Sequence, residues 1–359
     1  MEYAMIMAGG AGTRLWPMSR RRQPKQLIPF IDGQCLLEVA ANRLDGVVPA
    51  SRRLICTGEA FREPILEQLP AFTDDQLLGE PEGRDTVNAI GLTAAVLHQR
   101  DPDAIFAVLT ADHLIEPQDR FRKALQTGFK LVEQDPARLV TFGITPTYAA
   151  TGYGYVELGE EVDGFDGARQ TVQFVEKPDE STAEGYLQAG NFLWNSGMFV
   201  FSAAGFMNAL ESYLPEAAEG LSIIAQAWGG PDRQSTLEKI YPTLPKISVD
   251  YAIMEPGSRD EQRPVCTVPM DIQWLDVGSW TSYGETLAPD SNGCRSNVQS
   301  VNVDSHRVLA VSEDPDHVIA TVGCQDLVII HTDRVTMVCP SSEAQRVKDL
   351  ATSVDESLR

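Results

Sequence analysis

The chain has 359 residues, 43% of them apolar and 22% charged, and a formal net charge of −22. This composition is typical of a globular protein with one sizeable domain and an appendage, and it argues against disorder. The acidic balance argues against nucleic acid and anionic membranes as partners, because either would require a broad basic face. Six cysteines without a Cys-x-x-Cys pair and the lack of a long apolar run predict reduced thiols in a cytoplasmic protein.

The first predicted strand, residues 3–7, leads directly into a loop that carries Gly9, Gly10 and Gly12. Glycines allow positive φ and a close backbone approach, so the N–H groups of such a loop can converge on an anion. Between Arg14 and Lys25 the sequence adds three arginines, at positions 20–22, and no acidic residue. The loop therefore predicts a binding site for a small polyanionic ligand.

Two common phosphate motifs do not fit this loop. A Walker A loop would close with Gly-Lys-Ser or Gly-Lys-Thr, and none is present. A dinucleotide fingerprint would have a third glycine where Leu15 stands. A different class of phosphate-binding protein is therefore indicated.

Strand and helix patterns alternate through the first 142 residues. The strands are predicted at 3–7, 54–56, 105–109 and 139–142, and the helices at 36–44, 61–69, 88–97 and 121–132. This alternation predicts an α/β fold with a mainly parallel, doubly wound sheet. Ligands bind such sheets at the carboxyl ends of the strands, so the glycine loop and the turn at 110–113 are expected at one edge.

The later segments change in character. Residues 151–155, 172–176 and 192–201 are predicted to be extended and to lie over the core, and 203–228 to be helical with a break at Pro215. A turn-rich stretch at 288–293 precedes short strands between 298 and 338 and a terminal helix over 342–358. The predicted domains are a main α/β domain, 1–287, and a small β unit with a terminal helix, 291–359.

Two carboxylates are candidate ligands for a hard metal ion. Asp112, in Thr-Ala-Asp-His, follows a predicted buried strand, and Asp276 lies between two tryptophans in Trp-Leu-Asp-Val-Gly-Ser-Trp. Carboxylate oxygens suit Mg²⁺ that bridges phosphate oxygens. The alternatives are a turn or helix-capping role for Asp112 and a core role for the tryptophans.

A second group of residues suits a hydroxylated, phosphorylated ligand. Glu176 can accept hydrogen bonds from hydroxyl groups, Lys177 can pair with a phosphate, and the amide of Asn195 can both donate and accept. Gly154, in Thr-Gly-Tyr-Gly-Tyr, permits a close backbone approach to a ring. The alternatives are a surface ion pair and a plain tight turn.

Seven blocks together resemble, in sequence and order, the sugar-nucleotide pyrophosphorylases, the nucleotidyltransferases of sugar 1-phosphates. They include Gly-Gly-Ala-Gly-Thr-Arg-Leu-Trp-Pro, Thr-Ala-Asp-His, Phe-Val-Glu-Lys-Pro and Trp-Asn-Ser-Gly-Met-Phe, and they lie at residues 9–17, 24–26, 110–113, 151–155, 174–178, 194–199 and 276–280. The resemblance covers nearly the whole chain. It implies a Rossmann-like nucleotidyltransferase core, with the catalytic domain at 1–287, and carboxyl-terminal strands similar to a short left-handed β-helix.

Within this family the blocks look most like the branch that forms GDP-mannose. That resemblance implies transfer of GMP from GTP to mannose 1-phosphate, with release of pyrophosphate and with Mg²⁺ held by Asp112 and Asp276. It also implies catalytic roles for Arg14, Lys25 and Lys177. The expected nucleotide-binding residues are Ala8, Gly9, Gly10, Gly12, Thr13, Arg14, Lys25, Pro81, Arg84, Asp85 and Asp112. The expected sugar-binding residues are Gly154, Glu176, Lys177 and Asn195.

Base preference and partners remain open on the sequence. Asp85 stands where the family usually has asparagine; a carboxylate can accept from guanine N1–H and N2–H but cannot donate to O6. One alternative is a pyrophosphorylase for another pair, such as glucose 1-phosphate with dTTP, ATP or UTP. Another is a non-catalytic regulatory homologue that binds a sugar nucleotide, although the presence of both lysines and both metal-binding aspartates argues against it. A homo-oligomer also remains open.

Overall fold

A nine-stranded mixed sheet organises much of the chain in the computed structural model, which describes residues 1–10, 12–21 and 23–358. The strand order in this sheet is β3-β2-β1-β4-β9-β6-β10-β8-β7, and smaller sheets are formed by β11-β5, β12-β14-β16-β17 and β13-β15. The strands are β1 (Glu2–Met7), β2 (Arg53–Gly58), β3 (Leu77–Glu80), β4 (Ile105–Thr110), β5 (His113–Glu116), β6 (Leu139–Ile144), β7 (Tyr155–Glu161), β8 (Arg169–Val175), β9 (Phe192–Ser202), β10 (Val265–Met270), β11 (Gln273–Asp276), β12 (Arg295–Ser296), β13 (Ser300–Val303), β14 (Leu309–Ser312), β15 (Ile319–Val322), β16 (Leu327–His331) and β17 (Thr336–Pro340).

The first half of the large sheet is parallel, as its sequence pattern predicts. β1 pairs in parallel with both β2 and β4, and Met7 at the end of β1 lies opposite Cys56 and Thr110. The carboxyl ends of these strands therefore meet at one edge of the sheet. The α/β fold class with a mixed sheet is confirmed.

The second half of the sheet corrects one expectation. The segments at 151–155, 172–176 and 192–201 were expected to lie over the core, but the second and third belong to β8 and β9 of the large sheet itself. Residues 151–154 form no strand and lead into β7 of the same sheet. β9 runs antiparallel between β4 and β6, and nearly all of its residues are buried. A strand buried on both faces carries a continuous apolar run, which explains the run of large side chains in this segment.

The helices follow their apolar spacing. They are α1 (Leu36–Asn42), α2 (Arg62–Gln68), α3 (Asp85–Arg100), α4 (Gln118–Gln134), α5 (Glu180–Ala189), α6 (Ala203–Tyr213), α7 (Pro215–Ala227), α8 (Arg233–Ile240), α9 (Glu255–Gly257), α10 (Trp280–Glu285) and α11 (Val347–Ser353). Pro215 begins α7, which confirms the predicted break, because proline is tolerated in the first turn of a helix. No helix in the described part of the chain has both the length and the apolar content that crossing a bilayer requires.

The chain forms two compact units. Unit 1 comprises residues 1–9, 40–111 and 115–274, and unit 2 comprises 10–39, 112–114 and the chain from 275 onward. The core of unit 1 is built by the large sheet with α3, α6 and α7, and it includes Phe106, Phe201 and Leu221. The boundary predicted at 287–291 stays a prediction.

Unit 2 has its own core, which joins the segment after the glycine loop to the carboxyl-terminal strands. Leu15, Trp280 and Val311 are fully buried there, and the Trp280 indole N–H donates to the Trp16 carbonyl over 2.9 Å. β12, β14 and β16 pair in parallel, as do β13 and β15, so this part of the chain is β-helix-like.

The terminal helix is shorter than its pattern predicts. Residues Ser341–Arg346 form a 3₁₀ turn, and α11 begins only at Val347. Val347 and Ala351 are the buried residues of α11, whereas Leu350 is 42% exposed.

Candidate active site

The glycine loop leads into unit 2, and its Gly12 allows Lys25 to pack closely against the loop backbone. Gly10 and Gly12 have φ values of 92° and 59°, a region that residues with a Cβ rarely adopt. A Cβ on Gly12 would lie 2.8 Å from Lys25 Cβ and closer still to Ser19 Oγ. No heavy atom of the described chain beyond the neighbouring residues lies within 4 Å of a Cβ built on Gly9 or Gly10. The loop is therefore packed on the Lys25 side and has room for a ligand at Gly9 and Gly10.

Lys25 forms an ion pair with Asp112. Its ammonium donates to Asp112 Oδ2, and the two side chains are 10% and 23% exposed. Burial acts to raise the pKa of the Asp112 carboxyl, but the charges of Lys25 and His113 outweigh it and hold that pKa below its usual value. Asp112 is thus an ionised carboxylate at neutral pH, which both a cation site and a phosphate site with a paired lysine require.

Asp112, His113 and Asp276 converge on one point of unit 2. Each offers a ligand atom, and these atoms lie within 4.8 Å of one another. The Val277 N–H donates to the Asp112 carbonyl over 2.9 Å, which ties the two chain segments together. Two carboxylates fit a hard divalent cation, and an imidazole suits softer metals as well. The pair predicted from sequence is brought together, and His113 is a third candidate ligand.

Two of the other cations between Arg14 and Lys25 are paired with acidic side chains. Arg20 pairs with Glu313 and Asp333, each over 3.3 Å, and Arg21 pairs with Glu356 over 2.7 Å. Carboxylates from the distant end of the chain thus pair with Arg20 and Arg21, and the contribution of these arginines to a polyanion site stays a prediction. Arg22 lies outside the described residues.

Arg14 and Thr13 lie in the short 3₁₀ turn Thr13–Leu15, and both are exposed. Arg14 Nη1 donates to Gln345 Oε1 over 3.1 Å. Arg14 Nη2 and Asp276 Oδ1 would lie 3.3 and 3.2 Å from a Cβ built on Gly278. The guanidinium of Arg14 therefore borders the cluster of acidic ligands.

Ala8 and the segment after β3 lie in unit 1. The Ala8 N–H donates to the Cys56 carbonyl, and the Ala8 carbonyl accepts from Thr57 Oγ1, over 2.8 and 2.9 Å. Both backbone groups of Ala8 are thus used within the protein. That Ala8 contacts the nucleotide stays a prediction, and the contact would not use its N–H, which already donates to Cys56.

Arg84 and Asp85 begin α3. Arg84 donates to the Pro242 carbonyl and pairs with Glu82, while Asp85 is exposed, with φ of 64° and its own Oδ1 accepting from the Thr86 N–H. Left-handed φ at a non-glycine residue is uncommon and often marks a functional position. Pro81, which precedes these residues, is partly buried.

No sequence motif indicated the buried pair below this segment. Tyr241 Oη donates to Glu80 Oε1 over 2.6 Å. Burial raises the pKa of both groups, although the hydrogen bond from Tyr241 partly opposes this for Glu80. The pair anchors the end of β3 from which Pro81 and Arg84 follow.

The predicted sugar-binding residues lie together in unit 1. The Asn195 N–H donates to the Gly154 carbonyl over 2.8 Å, and a Cβ on Gly154 would overlap Glu176 Oε2. Lys177 Nζ donates to Glu176 Oε1 over 2.6 Å; the Glu176 side chain is 6% exposed and that of Lys177 is 55% exposed. Burial lowers the pKa of Lys177, but its hydrogen bond to Glu176 and the charge of Glu176 raise it further. Lys177 is therefore a charged group that solvent, and hence a ligand, can reach.

Asp250 belongs to this group and was missed. It begins a π-helical turn, Asp250–Met254, and its Oδ1 accepts from Asn195 Nδ2 over 2.8 Å. Burial, and then the charge of Glu176, raise the pKa of Asp250 to about 7. No motif surrounds this aspartate in the sequence, and a partner 55 residues away leaves no local pattern to find it by.

The chain matches two family models. The nucleotidyl transferase model matches residues 3–292, and a mannose-phosphate isomerase/GMP-like β-helix model matches residues 298–353. These matches agree with the mixed sheet and the β-helix-like strands.

Several proteins are similar to this chain over nearly its whole length. A mannose-1-phosphate guanylyltransferase of Escherichia coli K12 is 36% identical, and the alignment covers 98% of this chain and 73% of that protein. A xanthan biosynthesis protein, XanB, of Xanthomonas campestris pv. campestris B100 is 33% identical over 99% of this chain and 73% of that protein. The crystal structure of a mannose-1-phosphate geranyltransferase from Thermus thermophilus is similar with a TM-score of 0.85 and 30% identity, over 98% of both chains.

Proposed function

Because this chain belongs to the nucleotidyl transferase family, we propose that it transfers GMP from GTP to mannose 1-phosphate, forming GDP-mannose and pyrophosphate. The observation that carries the proposal is the ion pair of Lys25 with Asp112, with Asp276 close by. A phosphate-binding lysine beside two carboxylates is suited to a reaction between two polyanions. The similarity to the Escherichia coli mannose-1-phosphate guanylyltransferase supports the choice of this substrate pair.

The reaction is an in-line displacement without a covalent enzyme intermediate. An oxygen of the mannose 1-phosphate forms a bond to the α-phosphorus of GTP, the bond from that phosphorus to the β-phosphate oxygen breaks, and pyrophosphate leaves. The nucleophile is already ionised, so the protein has no proton to remove. Its task is to orient the two substrates and to offset their repulsion.

Residues of the glycine loop and of the segment that follows it act on the phosphates. The backbone N–H groups of Gly9, Gly10 and Gly12, with Thr13, bind the triphosphate, and Arg14 holds its β- and γ-phosphates. Lys25 neutralises the charge that develops towards the leaving pyrophosphate. The open space at Gly9 and Gly10 supports this assignment.

Mg²⁺ is the proposed cofactor, and its proposed ligands are Asp112 and Asp276. The donor set supports this choice, because two carboxylates provide the oxygen ligands that a hard cation prefers. When bound there, the cation neutralises charge on phosphate oxygens and helps to orient them. Lys25 then offsets the negative charge of Asp112 and of the incoming phosphates together.

Residues of unit 1 bind the sugar phosphate and the base. Glu176 and Asn195 bind hydroxyl groups of mannose beside Gly154, and Lys177 pairs with the sugar phosphate. The solvent-exposed ammonium of Lys177 supports its role. The guanine is recognised by the segment Pro81, Arg84 and Asp85, in which the exposed Asp85 carboxylate accepts from N1–H and N2–H.

We further propose that the protein is cytoplasmic and that its catalytic domain comprises residues 1–287.

A pyrophosphate-release assay tests the proposal. The purified chain is mixed with GTP, ATP, UTP, dTTP or CTP and with mannose 1-phosphate or glucose 1-phosphate, with and without Mg²⁺. Release that is strongest with GTP and mannose 1-phosphate and that requires Mg²⁺ is the expected result. Preference for another pair would reassign the substrates, and no release with any pair would favour a regulatory homologue.

A further inference from the structure

The carboxamide of Asn195 is held by three hydrogen bonds. Its Oδ1 accepts from Thr141 Oγ1 over 3.0 Å and from the Gly197 N–H over 3.2 Å, and its Nδ2 donates to Asp250 Oδ1 over 2.8 Å. A backbone N–H can only donate, so the Gly197 N–H requires the amide oxygen on its side and leaves Nδ2 facing Asp250. The three bonds use the oxygen and one of the two Nδ2 hydrogens. The second hydrogen can therefore serve a further acceptor.

Asp250 is held in a setting that is costly for a carboxylate. It is partly buried, and the carboxylate of Glu176 and the ammonium of Lys177 both act on it. Placing two carboxyl groups close together costs free energy, since each disfavours ionisation of the other. An asparagine could accept the same hydrogen bond without that cost. A cost of this kind is commonly found where a group serves a ligand.

The backbone at Asp250 supports a functional reading. The turn Asp250–Met254 is π-helical. Such turns are rare in proteins, and those that occur are often found at functional sites. The same stretch continues into Glu255, whose Oε1 accepts from the Glu176 N–H over 3.2 Å. One short segment thus contacts both predicted sugar-binding residues, through Asp250 to Asn195 and through Glu255 to Glu176.

We infer that Asp250 is a positioning residue of the mannose 1-phosphate site, which holds the Asn195 carboxamide so that its second N–H donates to a hydroxyl of the hexose. This inference rests on the proposed function, in which Asn195 binds the sugar. Asp250 acts through Asn195, so its removal weakens binding of the hexose 1-phosphate. Binding of the nucleotide and the chemical step are largely unaffected.

A double-mutant cycle tests the inference. The variants are Asp250→Ala, Asn195→Ala and the two combined, and KM for mannose 1-phosphate, KM for GTP and kcat are measured for each. Each single substitution is expected to raise KM for mannose 1-phosphate about tenfold, and the double variant to be no worse than Asn195→Ala. KM for GTP is expected to change less than about twofold. Two single effects that multiply to about a hundredfold in the double variant would overturn the inference.

A conservative substitution separates positioning from direct use of the charge. Asp250→Asn keeps an oxygen that can accept from Asn195 Nδ2, so it is expected to retain most of the wild-type affinity. A loss as large as that of Asp250→Ala would overturn the inference, because the charge itself would then be required. If Asp250→Ala does not fold, the cycle is run with Asp250→Leu, which removes the acceptor and keeps the branching at Cγ.

Asp260 offers a matched control in the same unit. It is a partly buried aspartate that accepts from Tyr213 Oη over 2.5 Å and from Arg263 Nη1 over 2.8 Å. Asp260→Ala is expected to lower the melting temperature without raising KM for mannose 1-phosphate. A rise in that KM equal to that of Asp250→Ala would reduce Asp250 to a general structural role.

Calorimetric titration with mannose 1-phosphate distinguishes failure of this inference from failure of the proposed function. A wild-type chain that binds mannose 1-phosphate but releases no pyrophosphate from GTP contradicts the proposed reaction, and the cycle is then completed on dissociation constants. A wild-type chain that is active but shows an additive cycle contradicts only the role of Asp250. A chain that neither binds mannose 1-phosphate nor releases pyrophosphate contradicts both.

Discussion

The proposed phosphate residues of unit 2 and the proposed sugar residues of unit 1 balance their charges in different ways. Lys25 and Asp112 form a pair of opposite charges. An incoming anion can therefore replace Asp112 beside Lys25, and an incoming cation can replace Lys25 beside Asp112. The sugar residues instead combine two carboxyl groups, Glu176 and Asp250, with one ammonium and the amide of Asn195. The first arrangement suits a reaction in which charge moves, and the second suits recognition of hydroxyl donors.

In both regions a glycine leaves space for a neighbouring side chain. At Gly12 a Cβ would press against the stem of Lys25, and at Gly154 a Cβ would overlap the carboxylate of Glu176. Each glycine thus lets a side chain of the candidate site lie against the backbone. Gly12 differs in that its φ is also positive, so its replacement carries a conformational cost as well as a steric one.

The comparison predicts that loss of a phosphate residue lowers kcat, whereas loss of a sugar residue raises one KM. Lys25→Met keeps the apolar stem beside Gly12 and removes the charge. We expect kcat to fall about 10³-fold, with a smaller change in KM for GTP, because the charge acts mainly in the transition state. Steady-state kinetics measure this. Arg21→Ala, which breaks an exposed ion pair with Glu356, is the control, and a fall in kcat of less than about tenfold for Lys25→Met would break the comparison.

Asp276→Asn tests the metal side of the phosphate region. We expect turnover to fall about 10²-fold at a fixed Mg²⁺ concentration and the Mg²⁺ concentration for half-maximal activity to rise, while the melting temperature stays within a few degrees. Asp271→Asn alters an aspartate whose side chain is 94% exposed and serves as the control. Unchanged turnover in Asp276→Asn would remove Asp276 from the site.

Gly12→Ala tests the packing that holds Lys25. The added methyl group would contact Lys25 Cβ at 2.8 Å and would stand at positive φ, so we expect a loss of about 2 kcal/mol in the free energy of unfolding. Denaturant unfolding measures it. Gly9→Ala is the control, since its Cβ meets open space, and equal losses in both variants would show that Gly12 has no special packing role.

Asp250→Asn tests the raised pKa of Asp250 through the pH dependence of stability. With a folded-state pKa of about 7 and an unfolded value near 3.8, wild-type Asp250 binds more protons folded than unfolded between about pH 4 and 7. Its contribution to stability is therefore full below about pH 4 and is lost as the pH rises to about 7. The stability of Asp250→Asn relative to wild type should increase across that window and level off above it.

Unfolding at several pH values provides the measurement for Asp250→Asn. Asp260→Asn is a control of opposite sign, since the hydrogen bond from Tyr213 holds the pKa of Asp260 below its usual value and its contribution is lost as the pH falls. A stability difference between wild type and Asp250→Asn that does not vary from about pH 4 to 7 would refute the raised pKa.

The sequence predicted the elements and residues whose signal is local. Glycines after a short apolar strand indicate a phosphate loop, and the loop lies where β1 ends. Alternation of strands and helices predicted the parallel half of the sheet correctly. The placement of β9 could not be predicted, because a run of apolar residues does not say which strands will flank it.

The sequence by itself determined which chemical groups are available: a glycine loop, two lysines, two candidate metal-binding aspartates and an asparagine beside a Glu-Lys pair. Only the tertiary structure decided their partners. It paired Lys25 with Asp112, placed carboxylates from about 300 positions away beside Arg20 and Arg21, and brought Asp250 to Asn195. The physical reason is that backbone conformation depends on neighbours in the chain, whereas ion pairs and buried hydrogen bonds depend on neighbours in space.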